Sequence, residues 1–136
     1  MIRDPRSVIT SQIFKGSRNI FPYSLSTTLR LGNKWKITSN LALKNQKKYS
    51  IHFKILKFEQ LILEPKKSIE NICRFLEVDF ESPMLTPPVI NSSFRQKKND
   101  GFNTESLEKW KHHLSKYNQI IVKLICGKEM KFFGYE

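Results

Sequence analysis

A chain of 136 residues with 39% hydrophobic and 26% charged side chains has room for one domain with a modest core and is too apolar to read as disordered. No apolar run approaches the ~20 residues a membrane-spanning helix needs, and no apolar stretch followed by small residues marks a secretory signal, so a cytoplasmic setting is the default expectation. The 24 Lys and Arg against 12 Asp and Glu give a net charge of +12, which favours acidic partners, although lysines spread along the chain equally describe a solvated surface.

Met1-Ile2 reads as the end of a buried strand. Pro5 suits the first position of a helix, where its missing N–H costs nothing, and Val8, Ile9 and Ile13 carry that helix to about Lys15. Residues 16–22 form a loop. Leu29, Trp35, Ile37, Leu41 and Leu43 predict a long helix from Ser26 to about Gln46, with Gly32-Asn33 a candidate break. Tyr49 to Phe58 is the best strand: it is rich in β-formers, and Ile51, Phe53 and Ile55 alternate with His52 and Lys54.

Pro65 opens a further helix with Ile69, Ile72, Cys73 and Leu76 at three- and four-residue steps. Residues 81–103 have no apolar period and hold Pro83, Pro87, Pro88 and Gly101, the pattern of a long loop. Thr104 is read as the cap of a short helix carrying Leu107, Trp110 and Leu114. Ser115 is read as the cap of a last one with Tyr117, Ile120, Ile121, Leu124 and Ile125, ending at Gly134. Strands alternating with helices in this order predict an α/β fold with a parallel sheet and flanking helices. Cys73 and Cys126 fall inside apolar helical patterns and read as buried thiols of a reducing compartment, with no second ligand at metal spacing.

Candidate chemistry gathers at the start. Arg3 follows an apolar pair and precedes a Pro-opened helix, the place where open α/β sheets bind ligands, and its planar fork can hold two oxygens of one phosphate. Ser11 lies one helical turn beyond Ser7 and can face the same anion. Three histidines are present, but His112 and His113 are adjacent and point in different directions, and His52 sits on the strand, so none is assigned acid–base work. Glu59 reads as structural, its carboxylate satisfying loop N–H groups or pairing with a buried cation. Trp35 and Trp110 read as core anchors.

Four segments in order carry a family resemblance: Arg3-Asp4-Pro5-Arg6 with Ser11; the run from Lys54 to Phe80; Asn91-Ser92-Ser93-Phe94; and Leu107-Glu108-Lys109-Trp110 with the terminal Phe133-Gly134-Tyr135. Together they resemble the C-terminal portion of sulfotransferases that use 3′-phosphoadenosine 5′-phosphosulfate (PAPS), closest to the tyrosylprotein and carbohydrate-type branch. The resemblance implies a P-loop-like α/β/α fold, and Arg3 and Ser11 on the 3′-phosphate of PAPS. It implies Lys15 and Lys109 as further nucleotide contacts, and Ser93 (or Ser92) near the transferring sulfuryl group. No metal is implied. The partners implied are the nucleotide donor and a hydroxyl- or amine-bearing acceptor on a carbohydrate, peptide or small molecule.

Two departures stand out. Phe58 replaces an aromatic hydroxyl, and no Gly/Thr-rich 5′-phosphosulfate loop occurs in the sequence. Residues 1–136 are therefore expected to be one partial domain whose catalytic base lies in a missing N-terminal part, and little turnover is expected of this chain alone. The alternative reading is a non-catalytic basic module for nucleotide or polyanion, or an inactive gene remnant. Nucleic acid is not the expected partner, because no RNA-binding signature, zinc-finger spacing or aromatic-interleaved basic strand occurs.

Overall fold

The computed structural model of the chain describes residues 1–16, 24–87 and 101–135, with side chains left out at 14–16. The first helix, α1 (Pro5–Gly16), starts where Pro5 stands. Asp4 Oδ1 accepts the Arg6 N–H at 2.8 Å, satisfying one of the donors a helix start leaves open. Helix α2 (Leu25–Lys48) is capped by Ser24, whose side chain accepts from the Thr27 N–H, and carries Lys47 and Lys48 in its last turn, where cations complement the helix dipole.

The expected break at Gly32-Asn33 does not occur. Gly32 is instead the point of closest approach to the last helix, α6 (Lys116–Phe133). A methyl group on Gly32 would meet Ile125 Cδ1 at 3.4 Å, and Cys126 Sγ donates to the Gly32 carbonyl at 3.3 Å.

The predicted parallel sheet is corrected. The described residues are mostly helical and contain no sheet. Where sheet pairing was expected there is a single parallel bridge, Ile2 to Lys57, made by the Ile2 N–H on the Leu56 carbonyl (2.7 Å) and the Phe58 N–H on the Ile2 carbonyl (2.8 Å). The pairing goes no further because both partners turn into helices at once: α1 opens at Pro5, and α3 (Phe58–Leu63) opens directly after Lys57. The strand expected over 49–58 is a bend followed by extended chain. Its period-2 pattern is real, but a strand needs a neighbour for its N–H and C=O groups, and among the described residues only Ile2 pairs with it.

Helix α4 (Pro65–Leu76) begins at its proline as expected and ends at Glu77 in the left-handed conformation, φ 56°. After the 3₁₀ turn Ser82–Leu85 comes α5 (Glu105–His113). The cap assigned to Thr104 is also corrected. Thr104 is itself in a helical conformation and makes no side-chain cap bond; the Glu105 N–H donates to Asn103 Oδ1 at 2.8 Å.

Ser115 does cap α6, accepting from the Asn118 N–H. At the other end Gly134 (φ 72°) closes α6. The Gly134 N–H bonds the Lys131 carbonyl and the Tyr135 N–H bonds the Met130 carbonyl, the paired closure that left-handed glycine permits.

The core lies between α1, α2 and α6, built around Ile9, Trp35, Val122, Met130 and Phe133 with Ile2 and Tyr135 from the two chain ends. The α6 stripe read from sequence is partly corrected: Ile121 is buried, but Tyr117, Ile120 and Leu124 face solvent, and Val122 and Cys126 take the inner face. Both cysteines are buried and free. Among the described residues no helix is long and apolar enough to cross a membrane.

Candidate functional site

The backbone of residues 2–4 is held from several sides. Beyond the bridge at Ile2, the Arg3 carbonyl accepts the Trp35 indole N–H at 2.9 Å, and the Asp4 N–H donates to Glu59 Oε1 at 2.9 Å. Both polar atoms of the Arg3–Asp4 peptide are thereby satisfied, which fixes the direction in which Arg3 leaves the chain.

The Arg3 guanidinium lies over the Phe58 ring, 4.2 Å from its centroid, and Nη2 donates to the Ser106 carbonyl on α5 at 2.8 Å. Arg3 Nε is buried and has no hydrogen-bond partner among the described residues. Burial pulls the Arg3 guanidinium below its ordinary value, while the carboxylates of Glu59 and then Asp4 oppose that pull.

Arg6 closes the same end of the molecule. It meets Asp4 through three contacts, Nε to Oδ1 at 3.0 Å, Nε to Oδ2 at 3.1 Å and Nη2 to Oδ2 at 2.7 Å. Its guanidinium carbon stands 4.0 Å from the centroid of the Trp110 ring, a cation–π stack. Helix α5 is thus docked on α1 by two arginines, Arg3 at Ser106 and Arg6 at Trp110. Lys109 sits between those two contact points on α5, half-buried.

Glu59 has no free role as a base. Its Oε1 takes the Asp4 N–H and its Oε2 accepts the Tyr135 hydroxyl at 2.8 Å. Burial, together with the Glu59 charge, pushes the Tyr135 phenol well above its ordinary range. Lys57 stands beside this pair, bonded to the Phe133 carbonyl with its ammonium 5.7 Å from the Tyr135 ring centroid.

The structure therefore brings Arg3 and the helix bearing Lys109 together. Ser11 lies on α1, partly buried, and Lys15 is on the last turn of that helix, its side chain outside the described residues. Ser92 and Ser93, with the basic run Arg95, Lys97 and Lys98, also lie outside them.

Sequence reasoning gave no role to Arg6, Ser106 or Tyr135. The Asp-Pro-Arg spacing could have suggested the Asp4–Arg6 pair, since the two flank the proline that opens α1. Nothing local could have linked Tyr135 to Glu59, which stand 76 positions apart.

A pocket of about 300 Å³ opens between α1, α2 and the extended segment, with Val8, Leu31, Trp35, Phe53 and Ile55 in its wall. Three of its polar side chains are engaged: Thr38 and Ser39 bond carbonyls of their own helix, and Lys54 donates to the Asn71 carbonyl at 3.2 Å. Among the described residues no group of three His, Cys, Asp or Glu could hold a metal ion.

A family profile described as "Sulfotransferase domain" matches residues 1–134. Carbohydrate sulfotransferase 3 of Tetronarce californica is similar at 21% identity over 159 aligned residues, covering 100% of this chain and 35% of that relative. The chain thus spans about a third of the length of the curated relative it matches. No solved structure matches it.

Proposed function

Because the chain belongs to the sulfotransferase domain family, we propose that it forms the 3′-phosphate side of a PAPS site and that Arg3 and Ser11 take that phosphate, with Lys15 and Lys109 as supporting cations. The observation that carries this reading is the state of Arg3. Its backbone is fixed on both sides and its ring-stacked guanidinium is desolvated, yet Nε keeps a buried donor with no partner among the described residues. A buried unsatisfied donor costs free energy, and an anion oxygen is a fitting acceptor. Charge-assisted bonds of this kind are short and strong.

When bound, PAPS supplies an activated sulfuryl group, which passes to a hydroxyl or amine of the acceptor with the bisphosphate as leaving group. The part of this chain is positioning. Arg3 fixes the far end of the donor, and a fixed donor presents its reacting end at a constant place, which is where much of the rate in such transfers arises. No residue here is assigned as base, and no Gly/Thr-rich 5′-phosphosulfate loop occurs in the sequence. The similarity to a carbohydrate sulfotransferase favours a sugar hydroxyl as acceptor.

Calorimetry with adenosine 3′,5′-bisphosphate and with 5′-AMP tests the reading. The bisphosphate is expected to bind more tightly, and Arg3→Ala to weaken it on the order of 10- to 100-fold, as loss of a charged hydrogen bond implies, with 5′-AMP little changed. Equal affinity for the two nucleotides, with tighter and steeply salt-dependent binding of long nucleic acid, would instead establish the polyanion-binding module to which the charge of +12 also points.

A further inference from the structure

A run of hydrogen bonds links the two ends of the described chain. The Tyr135 hydroxyl donates to Glu59 Oε2 at 2.8 Å, and Glu59 Oε1 receives the N–H of Asp4, the residue directly after Arg3, at 2.9 Å. Tyr135 is itself held rigidly. It is buried, its N–H bonds the Met130 carbonyl, its ring packs edge-on to Trp35 with centroids 6.5 Å apart, and Lys57 ties the preceding carbonyl of Phe133. Trp35 meanwhile bonds the Arg3 carbonyl. The peptide between Arg3 and Asp4 is therefore clamped from its carbonyl side by α2 and from its N–H side by the end of α6, acting through Glu59.

We infer that Glu59 and Tyr135 are positioning residues for the 3′-phosphate contact: the Tyr135 hydroxyl orients the Glu59 carboxylate, and that carboxylate sets the Arg3–Asp4 turn so that the guanidinium is aimed before the nucleotide arrives. The inference rests on the proposed function above. Its physical basis is pre-organisation. An arginine that must be ordered on binding loses affinity to the entropy of ordering, and one already fixed does not. A carboxylate with one oxygen on the turn and the other on a rigid phenol can hold only one orientation, whereas with the phenol gone it can rotate toward solvent or toward the arginine itself. In that second case it competes with the phosphate.

The test uses the whole 136-residue chain with Tyr135→Phe, Glu59→Gln, the double variant and Arg3→Ala. The probes are adenosine 3′,5′-bisphosphate and 5′-AMP by calorimetry, with thermal melts followed by circular dichroism. A purely structural role would lower both affinities alike. The positioning role predicts a fall of about 5- to 10-fold in the preference for the bisphosphate in each single variant, with little added loss in the double, since the two act as one unit. Tyr135→Phe keeps the buried ring and is the variant expected to retain the fold, which the melts check.

On the unmodified chain, the Arg3 Nε–H proton is expected as a separate, slowly exchanging NMR resonance, and an averaged signal would overturn the inference without any variant. If Arg3→Ala abolishes the preference while both single variants keep it, the positioning role fails and the phosphate reading survives. If Arg3→Ala also keeps it, both fail together.

Discussion

At the scale of single residues, three positions illustrate how backbone geometry and burial decide the effect of a change. Gly134 sits at φ 72°, where a side chain is strained, and its absent Cβ faces Lys57 Nζ at 3.6 Å. Gly134→Ala is expected to lower stability by about 1 kcal/mol, read as a lower midpoint in urea denaturation. Glu77 is the reverse case: it carries a side chain at φ 56°, and that side chain makes no hydrogen bond or ion pair among the described residues. Glu77→Gly should stabilise by about 0.5–1 kcal/mol, and a lower midpoint would show that the Glu77 side chain does something its geometry does not reveal.

Cys126 is fully buried, and burial, with the Glu129 charge adding to it, pushes its thiol up from 9.0 to about 11. A group whose pKa rises on folding favours the folded state while protonated, so this contribution is complete below pH 9 and is lost as pH climbs toward 11. Tyr135, raised for similar reasons, extends the loss further into alkali. Melting temperature is expected to fall steeply above pH 9, and less steeply in Cys126→Ala.

At the scale of elements, the helices other than α3 were legible and the strand was not. A helix satisfies its own backbone, so Pro5, Pro65, Ser115 and Gly134 announce its ends from a few neighbouring residues. Residues 49–58 carry a strand's alternation, but pairing depends on a partner elsewhere in the chain, and among the described residues Ile2 alone meets it. The inner face of α6 was misjudged in the same way. Tyr117, Ile120 and Leu124 repeat at helical spacing as well as Val122, Cys126 and Met130 do, and only the approach of α2 at Gly32 selects the second set.

Gly32→Leu, unlike the smaller Gly32→Ala, cannot be absorbed by a shift of Ile125. It is expected to separate α2 from α6 at a cost of several kcal/mol, as overpacking at a closed contact does. A melt showing near-native stability for that variant would refute the close-approach role of Gly32.

At the scale of the whole molecule, charge and surface dominate. With +12 net charge and ion pairs such as Lys66–Glu70 at 3.9 Å and Lys67–Glu64 at 3.2 Å lying on the exposed surface and contributing little, the folded chain repels itself. Raising sodium chloride from low to physiological ionic strength is expected to raise its melting temperature, since screening weakens that repulsion. Leu124 is 81% exposed and Phe132 69% exposed, and Leu124→Lys should leave stability within about 0.5 kcal/mol of the parent, checked by urea denaturation.

Family membership was also legible, because ordered short motifs survive where overall identity is only 21%. Arg3 was singled out from its position between an apolar pair and a Pro-opened helix. Its role in phosphate binding is the proposal that nucleotide titration decides. What the sequence determined by itself was local: where helices start and stop, which face of α1 is apolar, and that a cation stands at the mouth of the first turn. What only the tertiary structure decided was contact between distant parts: that Glu59 and Tyr135 hold the Arg3 turn, that Arg6 docks α5 through Trp110, and that extended segments pair at one residue instead of forming a sheet. The reason is physical. Helix signals act over a few residues, whereas hydrogen bonds between chain ends and ladders between strands exist only once packing has brought the partners within about 3 Å.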